Sequence, residues 1–191
     1  MKYSFLLILL LILSQYSCHS PTSPIKSAPP DTTSNNFTFQ TFTFGASNAG
    51  SSHLSDVAII SDTNIWCVGA VYLDSADGAH DPFPYNVVHW DGKNWNSLKA
   101  PYIYQGKAFF SPIFSIYAFS DSNIWLEAGI HWDGNQFQTV PLNIDFPSHV
   151  NRMWGTSSND LYIVGNSGLI AHRGIDGYWQ KYRKRNIFSY N

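Results

Sequence analysis

Hydrophobic residues along this chain occur in short runs separated by polar clusters rich in Ser, Asp and Asn. The runs are rich in β-branched and aromatic residues, which favour β-strands over helices. None of them has the 3.6-residue spacing of an amphipathic helix. We therefore predict an all-β chain with strands at 57–60, 65–72, 87–90, 95–98, 116–119, 124–129, 137–140, 153–156, 161–165, 169–172 and 179–182.

The runs belong to a unit that occurs three times. Asn-Ile-Trp stands at 64–66 and 123–125, and the looser Asp-Leu-Tyr stands at 160–162. Each is followed by a His-containing run and then by an Asp-Gly pair, and Asp91, Asp133 and Asp176 are spaced 42 and 43 positions apart. A period in the low forties with several short strands per copy is typical of β-propeller blades. The sequence predicts an incomplete β-propeller of about three four-stranded antiparallel blades, in units near 53–100, 112–142 and 149–182.

The Asp-Gly pairs predict the connections inside each unit. Asp and Gly tolerate the positive φ of a tight hairpin, so Asp91-Gly92 and Asp133-Gly134 are expected between the third and fourth strands. The aromatic residues that follow, Trp95, Phe137 and Trp179, are expected to pack between blades. In the second unit Trp125 and Asp133 are only 8 positions apart. We therefore expect the two middle strands of that unit to be poorly separated.

The first residues have the features of an export signal. Lys2 precedes an unbroken apolar run at 5–13, which is too short for a membrane-spanning helix of roughly 20 residues. Cys18 follows and resembles the acylated cysteine of bacterial lipoproteins, although ordinary cleavage after Ser20 is the alternative. We predict a signal peptide at 1–18 with lipidation at Cys18, and a cell-envelope lipoprotein or a secreted protein.

A change of composition follows the signal. Residues 19–36 contain four prolines and few apolar side chains, which predicts a flexible linker. Residues 37–191 are assigned to the partial propeller. Phenylalanine alternates with threonine on either side of Gln40-Thr41, so residues 37–44 are expected to form one strand or two.

The composition argues against a nucleic-acid partner. The formal net charge is −2, and nucleic acid would require a basic field over much of the molecule. The second cysteine, Cys67, lies in an apolar run and is expected to be a small buried side chain rather than a redox group. No disulfide with Cys18 is expected.

The recurring histidines His89, His131 and His172 raise the question of a metal ring on the propeller axis. Such a site needs three or four converging ligands, and we favour the alternative that each imidazole bonds to a neighbouring strand. No metal and no cofactor is predicted. The chain has a single glutamate, Glu127, and the aspartates are explained as turn formers, so no catalytic residue is assigned. A glycosidase would need a pair of carboxylates.

The Asn-Ile-Trp and His-Trp-Asp-Gly segments resemble those of secreted bacterial repeat proteins with propeller-type blades, similar in style to kelch and sialidase-like propellers. Some proteins of this kind carry the label "glucosyl transferase". The resemblance covers about residues 53–173. It implies repeat architecture rather than a reaction. Since propellers have at least about four blades, three units imply completion by partners or a truncated member of a longer family, and we favour truncation.

These observations predict an exported, lipid-anchored binding or scaffolding module without catalysis of its own. The expected partner is a protein or a glycan, with self-association through open blade edges and membrane contact through the lipid anchor only. One alternative is a carbohydrate-active protein, glucosyl transferase-labelled or sialidase-like, that performs glycosyl transfer or hydrolysis. Another is a non-functional truncated fragment. The candidate ligand-binding residues are Trp90, Trp132, His89 and His131.

Overall fold

The computed structural model describes residues 38–46, 51–74, 78–79, 81–127, 129–141 and 149–182. In these residues the chain forms three four-stranded sheets and one two-stranded hairpin. Blade 1 consists of β1 (His53–Ser61), β2 (Asn64–Val71), β3 (Tyr85–Trp90) and β4 (Trp95–Leu98). The hairpin is formed by β5 (Tyr102–Tyr104) and β6 (Lys107–Phe109). Blade 2 consists of β7 (Ile116–Ser120), β8 (Asn123–Leu126), β9 (Ile130–Trp132) and β10 (Phe137–Thr139), and blade 3 of β11 (Val150–Ser157), β12 (Asp160–Gly165), β13 (Leu169–Arg173) and β14 (Trp179–Lys181).

Each blade is an antiparallel meander in which sequential strands are hydrogen-bonded neighbours. The first strands of the three blades lie together, β1 beside β7 and β7 beside β11. Asp56 of β1 accepts a hydrogen bond from the Ile116 N–H of β7 at 3.2 Å and pairs with Arg152 of β11 at 3.4 Å. Three blades that turn their first strands toward one centre form part of a propeller. The predicted all-β, incomplete propeller is confirmed, and the predicted signal and linker lie outside the described residues.

The core consists of two layers between blades. The layer between blades 1 and 2 contains Trp66, whose ring meets that of Phe137 edge-on at 6.3 Å. The layer between blades 2 and 3 contains Trp125, whose ring meets that of Trp179 edge-on at 6.4 Å. Trp66 and Trp125 occupy equivalent repeat positions, so one packing rule joins both pairs of blades. Burial of these large rings is a main source of stability in such small sheets.

In blade 3 the position that corresponds to Trp66 and Trp125 is occupied by Tyr162, and it has a different environment. Tyr162 of β12 lies on the face of blade 3 that points away from blade 2, and 36% of its surface is exposed. Its neighbours on that face, Trp154, Val164 and Ile170, are also exposed. Blade 3 thus presents an apolar sheet face to solvent, in addition to its edge strand.

The prediction of strands at 37–44 is wrong for the part that is described, since residues 38–44 form no strand. The rings of Phe42 and Phe44 instead pack edge-on against Trp95, each at 5.5 Å. Phe42 and Phe44 of the alternating segment therefore pack against blade 1 through their side chains, while their backbone forms no strand.

The second unit is better ordered than we expected. β8 ends at Leu126 and β9 begins at Ile130, and the two pair in register. Glu127 makes the turn possible because its backbone adopts a left-handed conformation with φ 49°. The prediction of a continuous strand at 124–129 and of poorly separated middle strands is therefore wrong.

The Asp-Gly connections differ in detail from the prediction. Trp90 pairs with Trp95, so the loop contains the same four residues that the predicted strands leave between them. Gly92 adopts positive φ, 89°, and Asp91 acts through its side chain, whose Oδ1 accepts from the N–H groups of Lys93 and Asn94. Asp133 does the same in blade 2 with Asn135 and Gln136. The carboxylate, rather than a strained aspartate backbone, closes the turn.

Candidate functional site

The predicted histidines are bonded within their own blades. His89 donates from Nε2 to Oδ1 of Asn64 at 2.9 Å, and His131 donates likewise to Asn123 at 2.9 Å. Burial lowers the pKa of both imidazoles, against a smaller opposing effect of the neighbouring turn aspartate. The lowered pKa favours the neutral imidazole, and each of the two rings bridges the second and third strands of its blade. His172 of β13 bonds to Asp160 of β12 at 2.9 Å. Among the described residues, no group of three potential metal ligands is found.

The predicted tryptophans anchor turns. The indole N–H of Trp90 donates to the carbonyl of Asp62, and that of Trp132 donates to the carbonyl of Asp121, both at 3.1 Å. The two indoles therefore repeat one structural contact in two blades. The structure does not gather Trp90, Trp132, His89 and His131 around one cavity, and their role in ligand binding stays a prediction. The remaining predicted residue, Cys18, lies outside the described residues.

A cavity of about 220 Å³ lies between blades 1 and 2. Its floor is apolar and consists of core residues, Ala100 and Ile113 from the segments between the two blades and Leu126 and Ile130 from blade 2. Because these side chains also hold the blades together, the floor is as rigid as the core beneath it.

The hairpin β5–β6 forms one wall of this cavity. Tyr102 and Phe109 pair across the two strands and both line the cavity. The turn between them uses Gln105 and Gly106, both with positive φ, as a two-residue hairpin of the primed type requires. Ile103 donates its N–H to Oγ1 of Thr139 in blade 2 at 2.7 Å, which fixes the hairpin across the cleft.

Asn86 holds the base of the hairpin. Its side chain is almost fully buried, accepts from the Ala100 N–H at 2.7 Å, and donates to the carbonyls of Ala100 and Ser111 at 2.9 and 3.0 Å. The two chain segments that enter and leave the hairpin are therefore tied to β3. With all three bonds made, Asn86 positions the wall.

Glu127 supplies the charge of the site. Its backbone N–H donates to the Ser115 carbonyl at 3.1 Å, and its Oε1 accepts from the Phe114 N–H at 3.2 Å. Burial raises the pKa of this carboxyl to about 7, although the Phe114 bond acts in the opposite direction. In the part of the chain that the structure describes, no cation pairs with it. The site therefore changes charge near neutral pH.

The sequence pattern did not predict this cavity. Glu127 was noted only as the single glutamate, and the hairpin at 102–109 was not predicted. A signal for the hairpin is present, because Gln-Gly stands between the runs Tyr-Ile-Tyr and Lys-Ala-Phe. Nothing in the sequence indicated that Glu127 lies against this hairpin, since the two come together only when blades 1 and 2 pack.

Cys67 lies half-buried on β2, and burial raises the pKa of its thiol. A thiol with a raised pKa is a poor nucleophile at neutral pH. No helix in the described ranges has the length and apolar character needed to cross a membrane.

Comparison with known proteins assigns no family to this chain. No family model matches the chain, and no curated protein matches it. Among solved structures the chain is similar to one titled "YCF48 bound to D1 peptide", with 16% identity and a TM-score of 0.46. That match covers 68% of this chain and 40% of the other. The chain thus spans less than half the length of this structural neighbour.

Proposed function

We propose that this chain is an exported, lipid-anchored binding module that holds a protein ligand in the cleft between blades 1 and 2 and performs no catalysis itself. The cavity carries the proposal, because it combines a fixed apolar floor, an aromatic wall and one carboxyl group. Pockets of this composition, mostly apolar with few polar groups, are the usual form of binding sites.

The chemistry of the recurring polar residues supports binding over catalysis. Asp91 and Asp133 are engaged in turn hydrogen bonds, and His89 and His131 in bonds to the second strands. Glu127 is the one carboxylate among the described residues that line the cavity. Hydrolysis of a glycoside normally needs two carboxyl groups on either side of the bond.

A binding screen tests the proposal. The full chain would be screened against a displayed peptide library and a glycan array, and assayed for hydrolysis and transfer on aryl glycosides. We expect peptide binders and no turnover. Turnover, or binding of glycans alone, would favour the carbohydrate-active alternative and contradict the proposal.

Two hairpin variants show whether binding uses this cavity. Phe109→Ala removes a cavity-lining ring that is 46% exposed, and Ile103→Ala removes a side chain on the same hairpin that is 44% exposed and does not line the cavity. We expect the first to weaken peptide binding at least fivefold and the second to leave it unchanged. Equal effects would place the ligand elsewhere.

The export and anchoring part of the proposal is supported by residues 1–18 alone. Cys18→Ser should release the protein from the membrane fraction and prevent labelling with a radioactive fatty acid. Cys67→Ser, at the other cysteine of the chain, is the matched control and should retain both properties. Membrane association that survives the first change would contradict a lipid anchor at Cys18.

A further inference from the structure

The cavity between blades 1 and 2 contains a charge without a counterion. A carboxylate has two oxygens and can accept several hydrogen bonds, whereas the described residues give Glu127 one, from the Phe114 N–H at 3.2 Å. Glu127 is partly buried, and charges that are removed from water in proteins are normally paired. A ligand that brings a positive charge would satisfy this carboxylate.

The backbone at Glu127 is also unusual. Its φ of 49° lies in the left-handed region, which glycine or asparagine occupies more easily than glutamate. Such conformations are costly and cluster at ligand sites. Here the conformation makes the turn from β8 to β9 and places the carboxyl in the cavity.

The remaining walls suit a cation on an aliphatic stem. Tyr102 and Phe109 line the same cavity as Glu127, and aromatic faces attract ammonium and guanidinium groups. The floor is formed by aliphatic side chains such as Ile113 and Leu126, which would contact the methylene groups of the stem.

The size of the cavity limits the ligand. Pockets for drug-sized molecules have volumes of roughly 300–1,000 Å³, and this one has about 220 Å³. It therefore suits one side chain rather than an oligosaccharide. A sugar would also need several free polar groups, while Asn86 already uses its amide in three hydrogen bonds.

We propose that this cavity binds an alkyl cation, the ammonium or guanidinium end of a lysine or arginine side chain of a protein partner, with Glu127 as the counterion and Tyr102 and Phe109 around the stem. This inference rests on the proposed binding function and names the group recognised.

The pH dependence of binding follows from the charge of Glu127. A carboxyl with a pKa of about 7 is about one-tenth ionised at pH 6 and about nine-tenths ionised at pH 8. If the ionised form binds the cation, affinity rises about tenfold between these pH values. Tyr102 lines the same cavity as Glu127, and the rings of His53 and His149 lie 6.2 and 4.3 Å from that of Phe114. The ion pair of Asp56 and Arg152 is bonded to the N–H of Ile116, two residues further along.

The test compares three short peptides that differ at one central residue, which is lysine, arginine or norleucine. Norleucine has the aliphatic carbons of lysine without the ammonium group. Binding to the full chain would be measured by calorimetry at pH 6 and pH 8, with n-butylammonium as a free-amine probe. We expect the cationic peptides to bind at least tenfold more tightly than the norleucine peptide at pH 8. Butylammonium binding as tight as that of the peptides would assign the site to free amines and overturn the protein-partner assignment.

Glu127→Gln is the decisive variant, because glutamine keeps the size of the side chain and an oxygen that can accept from Phe114. It should abolish both the preference for cations and the rise of affinity with pH, while norleucine binding is retained. A pH dependence that survives this change would belong to another group and would overturn the inference.

Different results would contradict the cation assignment and the binding function. Equal binding of the lysine and norleucine peptides would overturn the cation assignment and leave a binding module intact. Binding of neither peptide would also overturn the assignment, and the separate library screen would then decide whether the chain binds peptides at all.

Discussion

Replacement of Glu127 by glutamine should change how the stability of the protein depends on pH. The ordinary pKa of this carboxyl is 4.5, and in the folded chain it is about 7 because of burial. The folded state therefore binds the proton more tightly than the unfolded state between these values. The stabilisation is full below pH 4.5 and is lost as the pH rises through 7. The difference between the two values corresponds to about 3 kcal/mol.

Urea denaturation of the wild-type chain and of Glu127→Gln, each at pH 5 and pH 8, measures this effect. Changes shared by both proteins, including titration of the histidines, cancel in the difference between them. We expect the wild-type chain to lose about 2–3 kcal/mol more than the variant between pH 5 and pH 8. Parallel losses in the two proteins would show that the carboxyl is solvated, and the account of the cavity would be wrong.

Three further predictions concern the hairpin, the blade interface and the open face. Asn86→Ala should cost about 3 kcal/mol, because it leaves buried backbone groups without partners, and should weaken peptide binding. Asn96→Ala on half-buried β4, where the amide makes an exposed bond to Asp91, should cost less than about 1 kcal/mol; equal losses in denaturation would contradict the anchoring role. Trp125→Ala should lower the free energy of unfolding by about 4 kcal/mol, because it leaves a cavity between two blades. Tyr162→Ala, at the equivalent position of blade 3, should lower it by about 1 kcal/mol, because that ring faces solvent; the reverse order of the two losses would refute the packing rule. Trp154→Lys should weaken self-association measured by sedimentation, and an unchanged association would place the contact on the blade edges instead.

The repeat structure was predictable because it is written in local sequence. Each Asn-Ile-Trp segment combines a turn residue with strand-forming residues, and each Asp-Gly pair marks the next connection. The fourth strand of blade 1 was predicted at the same bounds that the structure shows, Trp95–Leu98. Local propensity and alternation carry such information, because each strand pairs with the strand next to it in sequence.

The strand predictions were wrong where tertiary contacts, rather than local sequence, determine the backbone conformation. The alternation at 37–44 is typical of a strand, yet Phe42 and Phe44 use their rings against Trp95. At Glu127 the chain turns on a residue that rarely adopts positive φ. Pattern rules assign the common conformation to each residue type and therefore miss both cases.

The sequence by itself determined the repeat and the order of the strands in blades 1 and 3, because these depend on interactions between residues close in the chain. It did not separate β8 from β9 and did not predict the hairpin β5–β6. Only the tertiary structure determined which residues form the cavity. Asn86, Tyr102 and Glu127 belong to blade 1, to the hairpin and to blade 2 respectively, and they share one cavity because these parts pack against each other. The burial that raises the pKa of Glu127 also exists only in that packed state. Long-range packing creates both the shape and the charge of the site, and neither can be read from spacing along the chain.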